Sequence, residues 1–368
     1  MSARPIRLAA AALAAVALGG CAGFSADGGF GTVEQAASER LGKDVRWARS
    51  DAERAALDAR VDALLAEALT ADDAVQVALL NNRGLQAAFD ELGIAEAGFV
   101  QAGRLPNPGF GFGRLRRGDE TEIERSLHVD LARLLAMPMV REMESRRFER
   151  VKREAAAAML SLAADTRKAW VAAVAAEQSV RYMGQVREAA DASAELARRM
   201  ARAGNWNKLQ QAREQGFYAD AALGLARAER LRDATRERLT RLMGLWGERA
   251  QFRLPERLPD LPEAPLDMPD VERRAIAQRL DVQAARLGVE QTAKNLGLTR
   301  ATRFVDVLEL GAVRSSSNEA PTQRGWGVSF ELPLFDWSGA RVARAEAIYM
   351  QSLNRAAAIA IDARSEVR

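Results

Sequence analysis

Between Pro138 and Pro255 the chain contains no proline, and the stretch is dominated by Ala, Arg, Glu, Leu and Met. These residues lose little conformational freedom in a helix, so the run specifies helix over an unusual length. Counting in heptads from Phe148 gives Val151, Ala155, Ala158, Leu162, Asp165, Ala169, Ala172, Ala176, Ser179, Met183, Val186, Ala190, Ser193, Ala197 and Met200. Thirteen of these sixteen are apolar. A 3.5-residue period held for so long predicts a coiled-coil seam, and alanine in it permits close helix approach. A helix over 139–203 would span roughly 100 Å at about 1.5 Å per residue, more than a compact domain requires. Gly204-Asn205 then interrupts the pattern, and a second helix is expected from about Trp206 to Trp246. Together they predict a long antiparallel hairpin with its tip at Arg202 to Leu209. Five of the eleven prolines follow in 255–269, which reads as a stiff connector.

The opening residues carry processing information. Arg4 and Arg7 precede an apolar run from Leu8 to Leu18 that is too short to cross a hydrocarbon core of about 30 Å as a helix. Residues 1–20 therefore read as a signal peptide. Leu18-Gly19-Gly20-Cys21 has the form of a lipobox, with Cys21 as the lipidated residue; the other reading is an ordinary signal peptide with an incidental cysteine. Ala22, where an inner-membrane retention signal would have Asp, favours the outer membrane. Residues 21–68 show little sustained apolar patterning and predict a lipidated tether with a short helix.

From Thr70 the pattern is helical. Thr70 can cap, Asp72 and Asp73 suit the positive helix end, and apolar spacing runs through Val75, Leu79, Leu85 and Phe89 toward Leu105. Leu105-Pro106-Asn107-Pro108 stops it. Gly109-Phe110-Gly111-Phe112-Gly113 then alternates strictly, placing Phe110 and Phe112 on one face of a strand. A turn at Gly118-Asp119 leads to a second strand, in which Leu127, Val129 and Leu131 share a face while His128 and Asp130 point oppositely. The GxGxG run lacks the strand before it and the helix after it that a dinucleotide fingerprint needs.

An internal repeat orders these pieces. Ala78-Leu-Leu-Asn-Asn-Arg-Gly-Leu-Gln-Ala-Ala88 aligns without gaps on Ala275-Ile-Ala-Gln-Arg-Leu-Asp-Val-Gln-Ala-Ala285, 197 residues later. Val305 to Val313 then predicts a strand and Ser315 to Asn318 a loop. In the next strand Trp326, Val328, Phe330 and Leu332 alternate against Gly327, Ser329 and Glu331. Pro333 ends that strand as Pro138 follows the earlier pair, and a helix restarts after Asp336. The chain thus divides into a first repeat at 69–254, the connector at 255–269 and a second repeat at 270–368. The second is incomplete: 33 residues follow its strands, against 108 from Met139 to Trp246.

Four strands, each with an apolar or aromatic face and a small or polar one, suit a wall between lipid and lumen. Four cannot close a barrel, and open edges are not tolerated in lipid, so several chains would share one; three would supply twelve strands. Phe110, Phe112, Leu127, Val129, Leu131, Trp326, Val328 and Phe330 are the lipid-facing candidates, and His128, Asp130 and Glu331 the lumen-facing ones. A small soluble β-layer packed on helices is the competing reading.

Composition excludes much else. A net charge of +3, with no concentrated basic arm, argues against nucleic acid as a partner. One histidine and one cysteine give no intrachain disulfide and little from which to build a metal site, so no cofactor or metal is expected. A hydrolase lacks a Ser/His/Asp set, since His128 sits in a predicted membrane strand. A lipid-anchored periplasmic coiled-coil structural or adaptor protein without a pore is the alternative to a channel.

The arrangement resembles the outer membrane efflux protein family, the TolC-like outer membrane factors, from about Leu69 onward. The signs are the Ala78–Ala88 segment, Gln278-Arg279-Leu280-Asp281, Leu105-Pro-Asn-Pro108, the Gly204 break, Leu242-Met-Gly-Leu245 before the connector, and Leu332-Pro-Leu-Phe335 before the last helix. Their order carries the resemblance. It implies a homotrimer, mainly α with a small β part, whose shared β-barrel crosses the outer membrane while long helical hairpins form an α-barrel in the periplasm. It further implies a periplasmic adaptor protein and an inner-membrane efflux pump as partners, and passive export of small molecules or metal ions. Arg202, Gly204, Asn205, Trp206, Lys208 and Leu209 are then the candidate adaptor-contacting tip. Periplasmic gate residues are expected in the missing part of the second repeat, relative to which the chain looks truncated.

Overall fold

The computed structural model describes residues 23–264, 269–304 and 307–368. The signal segment, Cys21 and Val305 lie outside the described residues. The chain forms two compact units. Of the described residues, one takes 23–31, Asp90–Glu154 and 269–368; the other takes Thr32–Phe89 and 155–264.

The second unit is helical. It holds α1 (Gly31–Leu41, from its second residue), α2 (Asp51–Leu65), α3 (Ala71–Asn81), the start of α4 (Arg83–Ala102), most of α5 (Leu131–Arg202) and α6 (Lys208–Leu242). Thr70 caps α3 as expected: its hydroxyl accepts from the Asp73 backbone N–H at 3.1 Å, and the Asp73 carboxylate accepts from the Thr70 N–H. Ser50 and Glu53 form the same box on α2.

Residues 21–68, expected as a tether, contain these two packed helices. Val33, Ala37, Val45 and Val61 are fully or almost fully buried. In the other unit, the Ser25 backbone N–H and hydroxyl donate to the buried Glu96 carboxylate at 2.6 and 2.5 Å. These apolar positions are too sparse to show a periodicity, yet they are buried, and Leu57 and Val61 join the core of their unit.

The core of this unit gathers Leu69, Val77, Leu80, Trp170, Val174, Leu239, Met243 and Phe252. Trp170 donates its indole N–H to the Leu69 carbonyl at 2.8 Å, so the ring is buried without losing its hydrogen bond. This core explains a departure from the heptad seam. Around its middle α5 buries Ala156, Met159, Ala163, Thr166, Trp170 and Ala173, while the seam position Ala172 is exposed. Here α5 is covered on two sides, and the buried stripe widens and shifts. Toward the tip it returns to Ala190 and Ala197. The hairpin itself is as expected, with Glu177 pairing Arg236 at 3.1 Å and the Ser193 hydroxyl donating to Glu214 at 2.6 Å. The helices begin and end differently: α5 starts at Leu131 and contains Pro138, and α6 spans Lys208–Leu242. A proline in the eighth helical position forfeits one backbone bond, a tolerable loss in so long a helix.

The first unit contains a four-stranded antiparallel sheet in the order β1 (Gly109–Arg117), β2 (Glu120–Asp130), β3 (Leu308–Ser317), β4 (Gln323–Phe330). Beside it α7 (Val271–Gln278) and α8 (Leu280–Ala301) pack against α9 (Gly339–Val367). Arg300 meets Glu346 at 2.6 Å and the Thr292 and Ser352 hydroxyls lie 2.7 Å apart.

The duplication is visible in the backbone. The helix expected from Thr70 to Leu105 breaks at Asn82, which has φ −67° and ψ 117°. At Arg279, 197 residues on, α7 and α8 are separated by the same break, with φ −68° and ψ 128°. Both N–H groups still reach the carbonyl four residues back, Ala78 and Ala275, at 2.9 Å. The break falls inside the segment that carries the sequence repeat.

Candidate functional site

The strand register defines two faces, because directly opposed residues in an antiparallel sheet point the same way. Phe110 opposes Leu127, Leu127 opposes Ala312 and Ala312 opposes Trp326; Val129, Leu310 and Val328 form the next row, and Leu308 and Phe330 the last. Most of these are large apolar side chains in the open, with Phe110 68% and Trp326 77% exposed, while Val129 and Leu308 are half-buried. The same face continues toward the turns with Phe112, Arg125, Arg314 and Arg324 in one row and Arg114 and Arg116 beyond it.

The opposite face is small and acidic. His128 lies in a row with Gly109, Gly311 and Gly327, and Ser126 in a row with Gly111, Val313 and Gly325. A Cβ at Gly109 would stand 2.0 Å from the His128 Nε2, and one at Gly111 2.3 Å from the Ser126 hydroxyl. The glycines are therefore the space in which their neighbours lie. Glu120, Glu122, Glu124, Asp130 and Glu309 occupy this face, alongside Arg117 and His128. The Ser317 hydroxyl donates to Glu120 at 3.0 Å, and the Ser315 hydroxyl donates to Glu122. Among the described residues of the sheet, no acid lies on the apolar face.

The apolar face is the one the strand alternation predicts, and the structure differs from the sequence pattern at positions around it. Leu131 is the first residue of α5 and no strand residue. Asp130 ends β2, and its carboxylate accepts the Arg133 backbone N–H at 2.8 Å, so it caps α5. Glu331 follows the end of β4, next to Arg303 and Leu332 in a shallow pocket. The expected loop at Ser315–Asn318 belongs largely to β3, which runs to Ser317. The acidic row was missed although its alternation, Glu120-Thr-Glu-Ile-Glu124, stands in the sequence. It lies before the apolar alternation and carries no hydrophobic signal.

At the turn end the two hairpins are joined. Asn318 donates its side-chain amide to the Asp119 carbonyl at 3.0 Å, and its amide oxygen accepts the Thr121 N–H at 2.7 Å.

The hairpin tip is well defined. Gly204 has φ +79°, and the Asn205 and Trp206 N–H groups donate to the Met200 carbonyl at 2.9 and 3.3 Å, closing α5. Asn207 and Gln210 form a reciprocal cap on α6 at 2.9 and 3.0 Å. Arg202, Gly204, Asn205, Lys208 and Leu209 are exposed and Trp206 is half-buried. Glu195 gathers Arg198 at 3.0 Å and Arg199 at 2.9 Å, which holds its carboxyl below the usual range.

A joint behind the hairpin ties two of the sequence motifs together. Asn81 donates its amide to the Met243 and Gly244 carbonyls at 2.9 and 2.8 Å, and Asn82 to the Leu242 carbonyl at 2.9 Å. The Leu242 and Met243 carbonyls are orphan acceptors at the end of α6, and the Gly244 carbonyl follows them. Gly244, at φ +67°, brings its Cα so close that a Cβ would meet the Asn81 carbonyl oxygen at 2.9 Å.

Coiled hairpin, duplicated broken helix and two-faced strand quartet define the class: the fold is that of the TolC-like outer membrane efflux channels. Solved channels of this fold include CmeC of Campylobacter jejuni, at TM-score 0.65 and 16% identity over 89% of this chain and 74% of that one. VceC of Vibrio cholerae superposes at TM-score 0.61 with 16% identity, over 79% and 75%. In sequence the chain is similar to the cobalt-zinc-cadmium resistance protein CzcC of Cupriavidus metallidurans, 25% identical over 275 residues. That match covers 73% of this chain and 64% of CzcC, so the chain matches less than two thirds of that relative's length. No family model matches the chain.

Proposed function

We propose that the protein is the outer membrane channel component of a tripartite efflux system, a passive conduit and no enzyme. The observation that carries this reading is the sheet. Its four strands have 8 to 11 residues, close to the 9–11 that a membrane strand needs, and expose aromatic side chains on one face and glycine, serine and carboxylates on the other. Its edge strands β1 and β4 each have one side without a partner strand among the described residues. A homotrimer would close twelve strands into one barrel, with Cys21 lipidated in the outer membrane and the helical hairpins in the periplasm. Gly204 and the exposed residues around it would meet the adaptor, which couples the channel to an inner-membrane pump.

The lumen side supports cations as cargo. Five carboxylates against Arg117 and His128 give the inward face a negative potential, which favours cation entry. The name of CzcC points the same way, and divalent metal ions are the substrate class we propose. Membrane fractionation tests the channel: heat-modifiable trimers in the outer membrane fraction support it, and a soluble monomer after removal of the lipid rejects it. Planar-bilayer recordings test the charge argument. Substituting Glu120, Glu122 and Glu124 with Gln is expected to lower the cation-to-anion permeability ratio.

A further inference from the structure

The outward face carries a feature that passage through a lumen does not use. Arg125, Arg314 and Arg324 lie in one cross-strand row on three consecutive strands, with Arg114 and Arg116 just beyond on β1. All five are exposed, and none is ion-paired among the described residues. Neighbouring strands lie about 4.8 Å apart, so the three arginines of the row stand side by side, without a counter-charge on their own face among the described residues. Directly below them come Phe110, Leu127, Ala312 and Trp326; Arg125, Arg314 and Arg324 line a shallow depression together with Phe110, Leu127 and Ala312. One face therefore offers cations at the turn end and an apolar surface toward the helices. The complementary ligand is an amphiphile with an anionic headgroup above acyl chains.

We propose that this row binds the phosphates of the glycolipid in the outer leaflet of the outer membrane. The leaflet follows from topology. All four strands join helices at the end opposite the Gly118 and Asn318 turns, so periplasmic helices place the turn end, and the arginines, outside. Guanidinium suits the ligand because its planar fork engages phosphate oxygens two at a time. Phosphates would also relieve the repulsion within the row. This inference rests on the membrane reading of the sheet given above.

The test uses the full-length oligomer in detergent, titrated with diphosphoryl lipid A and with its dephosphorylated form, with bound lipid counted by native mass spectrometry. Wild type is expected to prefer the diphosphoryl form. The R125Q/R314Q/R324Q variant should lose roughly 100-fold in affinity for it, about a factor of five per cation. R125K/R314K/R324K, which keeps charge without the fork, should fall between. Equal binding by wild type and the Gln variant overturns the proposal, as does equal binding of the two lipids by wild type, a readout that stands even if the Gln variant fails to assemble. Displacement of lipid A by millimolar inorganic phosphate would also overturn it, making the row a free-anion site. In parallel, brominated acyl chains should quench wild-type fluorescence more than that of Trp326→Phe. No such difference would reject the membrane reading and this inference with it; quenching with unselective lipid binding would reject this inference alone.

Discussion

Asn81 and Asn82 act at the scale of single atoms, supplying three amide bonds to carbonyls that helix geometry leaves without partners. Replacing Asn81 with Ala is expected to cost about 1–3 kcal/mol, read as a lower urea midpoint by circular dichroism, because half-buried acceptors lose their donors. Gly109→Ala should also destabilise, by forcing the His128 ring from its place. His128→Ala should largely rescue it, so a double-mutant cycle would show strong coupling; additive effects would argue against the observed register. These roles were partly legible. The Asn81-Asn82 segment was recognised through its repeat and Leu242–Leu245 as a separate sign, but nothing in one sequence says that two motifs 160 residues apart meet. Gly109 and Gly111 were read as strand positions, whereas their reason is cross-strand space.

Among the elements, periodicity revealed what repetition reinforces. The hairpin, the four strands and the duplicated order all followed from apolar spacing and turn residues. The break at Asn82 did not, because its flanking residues keep helical apolar spacing, no proline marks the site, and Gly84, two residues on, already lies inside α4. Similarly, α1 and α2 bury too few large apolar side chains for a stripe to stand out, Val33 in the first and Leu57 and Val61 in the second, and the widened stripe of α5 depends on partners distant in sequence. The tip offers a test at this scale. Gly204→Ala places a Cβ in left-handed backbone and is expected to cost about 1–2 kcal/mol of hairpin stability, seen as faster hydrogen exchange in residues 199–209. Substitution of Leu209 or Lys208, with no φ constraint, should leave exchange unchanged while weakening adaptor binding.

For the whole molecule, acid should loosen the ion pairs that brace both units. Asp44 is held below the ordinary carboxylate range by the two hydrogen bonds from Arg60, at 2.9 and 3.1 Å, and Asp281 by those from Arg279, at 2.7 and 3.1 Å. Because their folded values are lowered, each contributes stability above the unfolded pKa near 4 and loses it as pH falls through the folded value. Both pairs are half-exposed, so each contributes under about 1 kcal/mol. The urea midpoints of wild type and Asp281→Asn should differ at about pH 6 and draw together as the pH falls below the folded Asp281 value.

The β2–β3 ladder, locked at the turn end by the amide bridge from Asn318 to Asp119 and Thr121, makes the two hairpins one stiff panel with a raw edge on either side among the described residues. In the membrane reading proposed above, a panel of this kind gains little from a single companion, since two joined panels would still present two raw edges to lipid. Only ring closure removes them. Assembly should therefore be all-or-none, with monomers and closed rings on a native gel at every protein concentration and no appreciable band for the pair between them.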